Sequence, residues 1–188
     1  LQQFQRATTL MAACEIIRRG DPATWGDEPF RIGLWVGQSS TPNRTEDAAA
    51  VVNSARNNDF RADYSGSVGG SGTPHQLTTC PWCGRPITMN QIEVDTFAAG
   101  RGRTLQYCSD QEGECAFSKK QSLNEGIPIV VVDEEIYRRL PTLVIATVDK
   151  FAQMPWKGET QMLFGRVTGL CDRHGYLSPD MADQCQAH

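Results

Sequence analysis

The sequence predicts an α/β fold, a parallel sheet interrupted by an inserted cysteine-rich module. Two observations carry this. After residue 120 the chain runs strand, helix, strand, helix, the order that builds parallel sheets. Before it, Cys80 and Cys83 are followed by Cys108 and Cys115, giving C-x2-C-x24-C-x6-C, a spacing suited to metal ligands. A Gly- and Ser-rich stretch over 65–74 precedes the cysteines and marks a boundary.

The 188 residues suffice for one sizeable core, or a core with a small module. A net charge of -4 excludes a protein that coats nucleic acid by bulk charge, while leaving room for a local basic patch. The longest apolar run, 127–132, is strand-sized and far short of the roughly 20 residues of a membrane span. No membrane partner is expected. An odd count of seven cysteines, paired spacing and no export signal favour metal in a reducing, cytoplasmic setting over secreted disulfides. The chain opens on Leu1 rather than methionine, as a piece of a longer protein would.

The elements follow in order. Phe4, Ala7, Met11, Cys14 and Ile17 recur at three- and four-residue steps, so 2–19 reads as a helix with Cys14 on its buried face and Gly20 as its stop. Ile32-Gly33-Leu34-Trp35-Val36 alternates as a short strand ending at Gly37. Pro42, Asn43 and Thr45 set up a helix over about 45–57. His75 falls in the loop and is expected to be exposed.

Residues 78–120 form the module. Gly84 after Cys83 suits a ligand-bearing turn. Ile92, Val94 and Thr96, then Arg103, Leu105 and Tyr107, alternate around a glycine-rich turn at 99–102, a hairpin between two knuckles as in a zinc ribbon. Four thiolates leave no open coordination position, so a Zn2+ here holds structure. The module's charges balance, Arg85, Arg101, Arg103, Lys119 and Lys120 against Glu93, Asp95, Asp110, Glu112 and Glu114. That favours a structural or protein-contact module over one gripping phosphates. A second set, Cys171 and His174 with Cys185 and His188, has spacing for another ion.

Ile129-Val130-Val131-Val132 reads as a strand buried on both faces, and Asp133 as the cap of a short helix through Leu140. The string ending in Asp133 and Glu134 also looks like a magnesium-binding strand of nucleotide hydrolases. No glycine-rich phosphate loop, nor any Gly-Lys step, accompanies it. Leu143-Val144-Ile145-Ala146 predicts a second buried strand, and Thr147 opens a helix with Lys150 nearby. A strand-end hydroxyl, backbone amides and a lysine can grip a nucleic-acid phosphate, or simply cap the helix.

Leu143-Val144-Ile145-Ala146-Thr147-Val148-Asp149-Lys150-Phe151-Ala152-Gln153-Met154-Pro155-Trp156 resembles the helicase-like proteins of the DISARM phage-defence system, relatives of superfamily 2 helicases. Leu1–Arg6, Arg31–Gly37, Val131–Arg138, Phe164–Val167 and Cys171–Tyr176 agree with it. The resemblance implies a fragment of a first RecA-like domain, divided as 1–64 and 121–156 of the sheet core, a 65–77 linker, a 78–120 zinc-ribbon insertion and an irregular 157–188. It implies that Thr147 and Lys150 belong to the motif contacting the nucleic-acid backbone, and it adds Gln3 and Gly37 as contacts. Walker A would precede Leu1 and the DExx motif would follow His188, so ATP and Mg2+ belong to the full-length protein and this chain would be inactive alone. The implied partners are nucleic acid, with DNA favoured, the remaining helicase domains and a protein of a defence complex. Two other readings stay open: a zinc-ribbon protein-interaction module that binds no nucleic acid, and a small nucleotide hydrolase.

Overall fold

The structure, a computed structural model, describes residues 2–57, 72–97 and 102–179. Helix α1 (Gln2–Gly20) leads through α2 (Pro22–Trp25) into strand β1 (Ile32–Trp35), then α3 (Thr45–Asn57). The module contributes the hairpin β2 (Ile92–Thr96) and β3 (Gly102–Gln106). Strand β4 (Ile129–Val130), helix α4 (Asp133–Arg139), strand β5 (Leu143–Ala146) and helix α5 (Val148–Gln153) follow, then 3-10 turns and the hairpin β6 (Gly169–Cys171) and β7 (Gly175–Leu177).

The fold class is the mixed α/β arrangement expected. Strands β4, β1 and β5 form one parallel sheet in that order, with Ile32 opposite Ile129 on one side and Leu143 on the other. β1 is buried at all four residues instead of alternating, because a central parallel strand is covered on both faces. β5 departs from the buried strand expected. Leu143 is exposed and the rest are half-buried, since among the described residues β5 pairs only with β1 and forms an edge.

The buried face of α1 also differs from the expected one. Phe4, Thr8, Met11, Ala12, Glu15 and Arg18 point inward, Cys14 is half-buried and Ile17 is exposed. Glu15 explains the rotation. Its carboxylate accepts from Arg18 Nε at 2.7 Å, Arg19 Nε at 2.8 Å and the Phe30 amide at 2.9 Å. Burial alone would raise its pKa, but these donors hold it below the usual carboxylate value. A fully satisfied carboxylate can occupy a core position that periodicity reserves for apolar residues.

Two apolar clusters flank the sheet. On one side Phe4, Met11 and Ala12 of α1 meet Ile32, Leu34, Ile129 and Val131, together with Cys80, Cys108, Cys115 and Phe117 of the module. On the other, Trp35 and Val130 pack with Ile136, Tyr137 and Met162. The cysteine module therefore shares the core of the sheet. A third cluster seats α3 on the hairpin through Val51, Val52, Met89 and Ile92. Of the 65–77 stretch, residues 65–71 lie outside the described residues, while Gln76 and Leu77 are buried and Gln76 Nε2 donates to Ser40 O and Thr73 O. His75 is half-buried rather than exposed, with Nε2 2.9 Å from Ile87 O. No described helix is long and apolar enough to cross a membrane.

Candidate functional site

The four module cysteines converge. Their sulfurs all lie within 4.8 Å of one another, with Cys80 and Cys115 Sγ 3.8 Å apart and Cys83 and Cys108 Sγ 3.4 Å apart. Bonds of about 2.3 Å from zinc to sulfur set tetrahedral S···S separations of roughly 3.8 Å, so the donor set fits such an ion. These separations are far beyond the roughly 2.05 Å of a disulfide. The first knuckle is closed by Cys80 N donating to Arg85 O at 2.7 Å and Gly84 N to Cys80 O at 3.0 Å. Gly84 has φ +76°, the left-handed conformation that favours glycine.

The second knuckle is organised by Asp110. Its carboxylate accepts from the amides of Cys115 at 2.6 Å and Glu112 at 3.2 Å, and Arg85 of the first knuckle reaches it at 3.2 Å. The Cys115 amide leads in holding its pKa below the usual value. In the sequence Asp110 stands out only as one of the module's balancing charges, and its place two residues after Cys108 is the signal of this role. Burial pushes the Cys115 thiol up to about 11 and Cys108 higher still. Cys83 goes the other way: burial raises it, and the Arg85 amide and neighbouring thiols more than offset that. All four positions of a tetrahedral ion are taken by protein, which suits a structural metal such as zinc.

Half of the second ligand set is placed. Cys171 Sγ and His174 Nδ1 lie 3.6 Å apart on the β6–β7 hairpin, and the His174 ring meets Phe97 edge-on at 5.3 Å. Cys185 and His188 fall outside the described residues, as do Arg101 and the hairpin turn around it.

At the carboxyl end of the sheet, the Thr147 amide donates to Trp35 O at 3.2 Å, setting Thr147 beside the strand that runs on to Gly37. Thr147 is exposed and its hydroxyl makes no capping bond to α5. The carbonyl of Gly37 accepts from Ser40 N and Thr41 N, and Gln3 is exposed in the first turn of α1. Lys150 is not presented with them. It is 5% exposed, its Nζ donates to Asp133, and it stands 6.0 Å from the centre of the Trp35 ring. The buried Asp133 carboxylate, beyond the end of β4 on the far side of β1, draws the ammonium inward, where the attraction is worth more than in water.

The acidic triplet is likewise engaged. Asp133 is not a helix cap: Val132 occupies that position, and the Asp133 carboxylate accepts from Lys150 and from Trp35 Nε1 at 3.2 Å. Burial pushes its carboxyl above the ordinary value despite the lysine. Glu134 accepts from Thr45 N at 2.7 Å and Thr45 Oγ1 at 2.5 Å, fastening the start of α3. Glu135 accepts from Thr104 N at 3.0 Å and Thr104 Oγ1 at 2.8 Å on the hairpin. These carboxylates bind the layers together, a role that periodicity and motif spacing do not disclose.

Fold and site thus define a mixed α/β chain whose parallel sheet shares its core with a four-cysteine module able to hold a metal ion. Over 179 residues, 94% of its length, the chain is 35% identical to the DISARM protein DrmA of Bacillus paralicheniformis. It spans 15% of that protein's length. No protein-family model matches the chain.

Proposed function

We propose that this chain is a non-catalytic part of an ATP-dependent, superfamily 2 helicase-like phage-defence protein acting in the cytoplasm. Its role is to supply nucleic-acid backbone contacts at the carboxyl ends of the sheet, through Thr147 and the Gly37 turn, on a framework stapled by zinc at Cys80, Cys83, Cys108 and Cys115. Similarity to a DISARM protein along 94% of the chain carries the reading. The exposed Thr147 hydroxyl, uncommitted to α5 and hydrogen-bonded through its amide to the β1 end, supports the contact. Lys150 then positions the strand ends through Asp133 and does not itself touch a phosphate. ATP and Mg2+ belong with the remainder of the larger protein.

The test is a fluorescence-anisotropy titration of single-stranded DNA. Thr147→Ala removes one hydrogen bond to a charged group, and the expected loss is about tenfold in affinity. The salt slope should not change, because no cation is removed. Unaltered affinity would sink the contact.

The ion pairing of the module favours a second reading, a zinc-ribbon module for protein contact. Arg85 is paired with Asp110, Arg103 with Glu125 at 2.6 Å and Lys119 with Glu93 at 2.6 Å, while Trp82 stands half-exposed. A chain that binds no DNA at low salt, yet loses a defence-complex partner on Trp82→Ala, would select it.

A further inference from the structure

At the opposite end of the sheet, where the strands begin, lies a cavity of about 480 Å3. Arg31 borders it just before β1, Arg138 and Arg139 at the end of α4, Arg103 on β3 and Arg173 in the β6–β7 turn. Three carboxylates share the lining, Glu28, Glu125 and Asp172. Five guanidiniums face three carboxylates in the lining, and Glu134 behind it pairs with Arg138 at 3.5 Å.

The pairing is uneven. Glu125 is shared by Arg31 at 2.8 Å and Arg103 at 2.6 Å. Arg139 instead donates to the uncharged carbonyl of Arg173 at 2.8 Å, and Arg173 lies over the Phe97 ring at 5.1 Å. Among the described residues neither has an ion-pair partner. Arg138 is 8% exposed, reaches Glu134 only at 3.5 Å, and keeps Nη1 buried without a hydrogen-bond partner. Burial and the neighbouring Arg103 and Arg31 depress Arg139 to about 10, the mark of crowded like charge. The carbonyl end of α4 adds at most about half a negative charge, short of what two unpaired guanidiniums carry.

We propose that this cavity binds a small phosphate-bearing anion, gripped by Arg139 and Arg173 with Arg138 behind them. Guanidinium forks match phosphate oxygens two at a time, so a phosphate can engage both Arg139 and Arg173 where a carboxylate would occupy one fork. The volume lies within the range of small-molecule sites. The half-buried Tyr176 at the rim offers a ring for whatever the phosphate carries.

Inorganic phosphate is the probe, titrated by calorimetry into the chain in dilute chloride buffer with acetate as a monoanion control. Saturable one-to-one binding is expected for phosphate and not for acetate. Arg139→Gln and Arg173→Gln should each weaken it at least about tenfold, and Arg166→Gln, at an exposed arginine elsewhere, should not. Because Arg173 is exposed, its variant remains informative if Arg139→Gln misfolds. Thr147→Ala should leave phosphate binding intact, which separates this site from the strand-end contact. The proposal is overturned by absence of saturable binding, by undiminished binding in Arg173→Gln, or by displacement of phosphate by an oligothymidylate lacking terminal phosphates.

Discussion

Lys150 and Asp133 face each other with side chains 6% and 4% exposed, so each charge depends on the other. Removing one partner of a buried pair typically costs about 3–5 kcal/mol. Lys150→Ala should therefore shift the urea midpoint strongly downward, whereas Thr147→Ala, at the surface, should leave it in place. An unmoved midpoint in Lys150→Ala would show that the pair is not structural. Glu135 makes a pH prediction. Burial lifts its carboxyl from 4.5 to about 7, opposed by its bonds to Thr104. Between those values the folded chain holds a proton that the unfolded chain has released, so stability falls as pH rises through that window and stays lower above it. The shift corresponds to about 3 kcal/mol at most. Glu135→Gln should flatten the pH dependence of the thermal midpoint between pH 5 and 7; an unchanged slope would assign it to other groups. Lys150 and Thr147 could be singled out from the sequence as a strand-end pair. Their separation could not, because the partner that claims the lysine sits seventeen residues away on another strand end.

At the scale of elements, the cysteine module was legible because metal ligation imposes spacing directly on the chain. What spacing could not convey is that Cys80, Cys108 and Cys115 lie in one apolar cluster with α1 and the sheet. Loss of the ion should therefore be felt beyond the knuckles. A structural zinc can contribute on the order of 10 kcal/mol. Chelation is expected to lower the thermal midpoint and to change the fluorescence of Trp35, which lies outside the module, as well as Trp82 within it. Metal analysis should find zinc lost in Cys80→Ser and retained in Cys14→Ser. A chelated chain with an unaltered Trp35 signal would mean that the module unfolds alone. Helix α1 gives the reverse lesson. Its existence was plain from periodicity, but its inward face was set by Glu15 and two arginines, a polar cluster no apolar pattern marks.

At the scale of the whole molecule, the α/β class followed from element order, but the strand order β4-β1-β5 did not. Nothing local to Ile32-Gly33-Leu34-Trp35 says that both its neighbours come from far along the chain. That arrangement has a consequence during synthesis. Ile32 pairs with Ile129 and then Leu143, so β1 leaves the ribosome with neither edge partner made. Ninety-seven positions separate Ile32 from Ile129, and at roughly 5–20 residues per second the wait is about 5–20 s. Throughout it an apolar strand offers two open edges, the condition that invites pairing with other chains. Nascent chains stopped at residue 120 should collect in the insoluble fraction, and chains released past residue 156 should not. Equal solubility would mean that α1 and the module already shelter the strand. The sheet's central position, so secure once folded, is the last to be protected while the protein is being made.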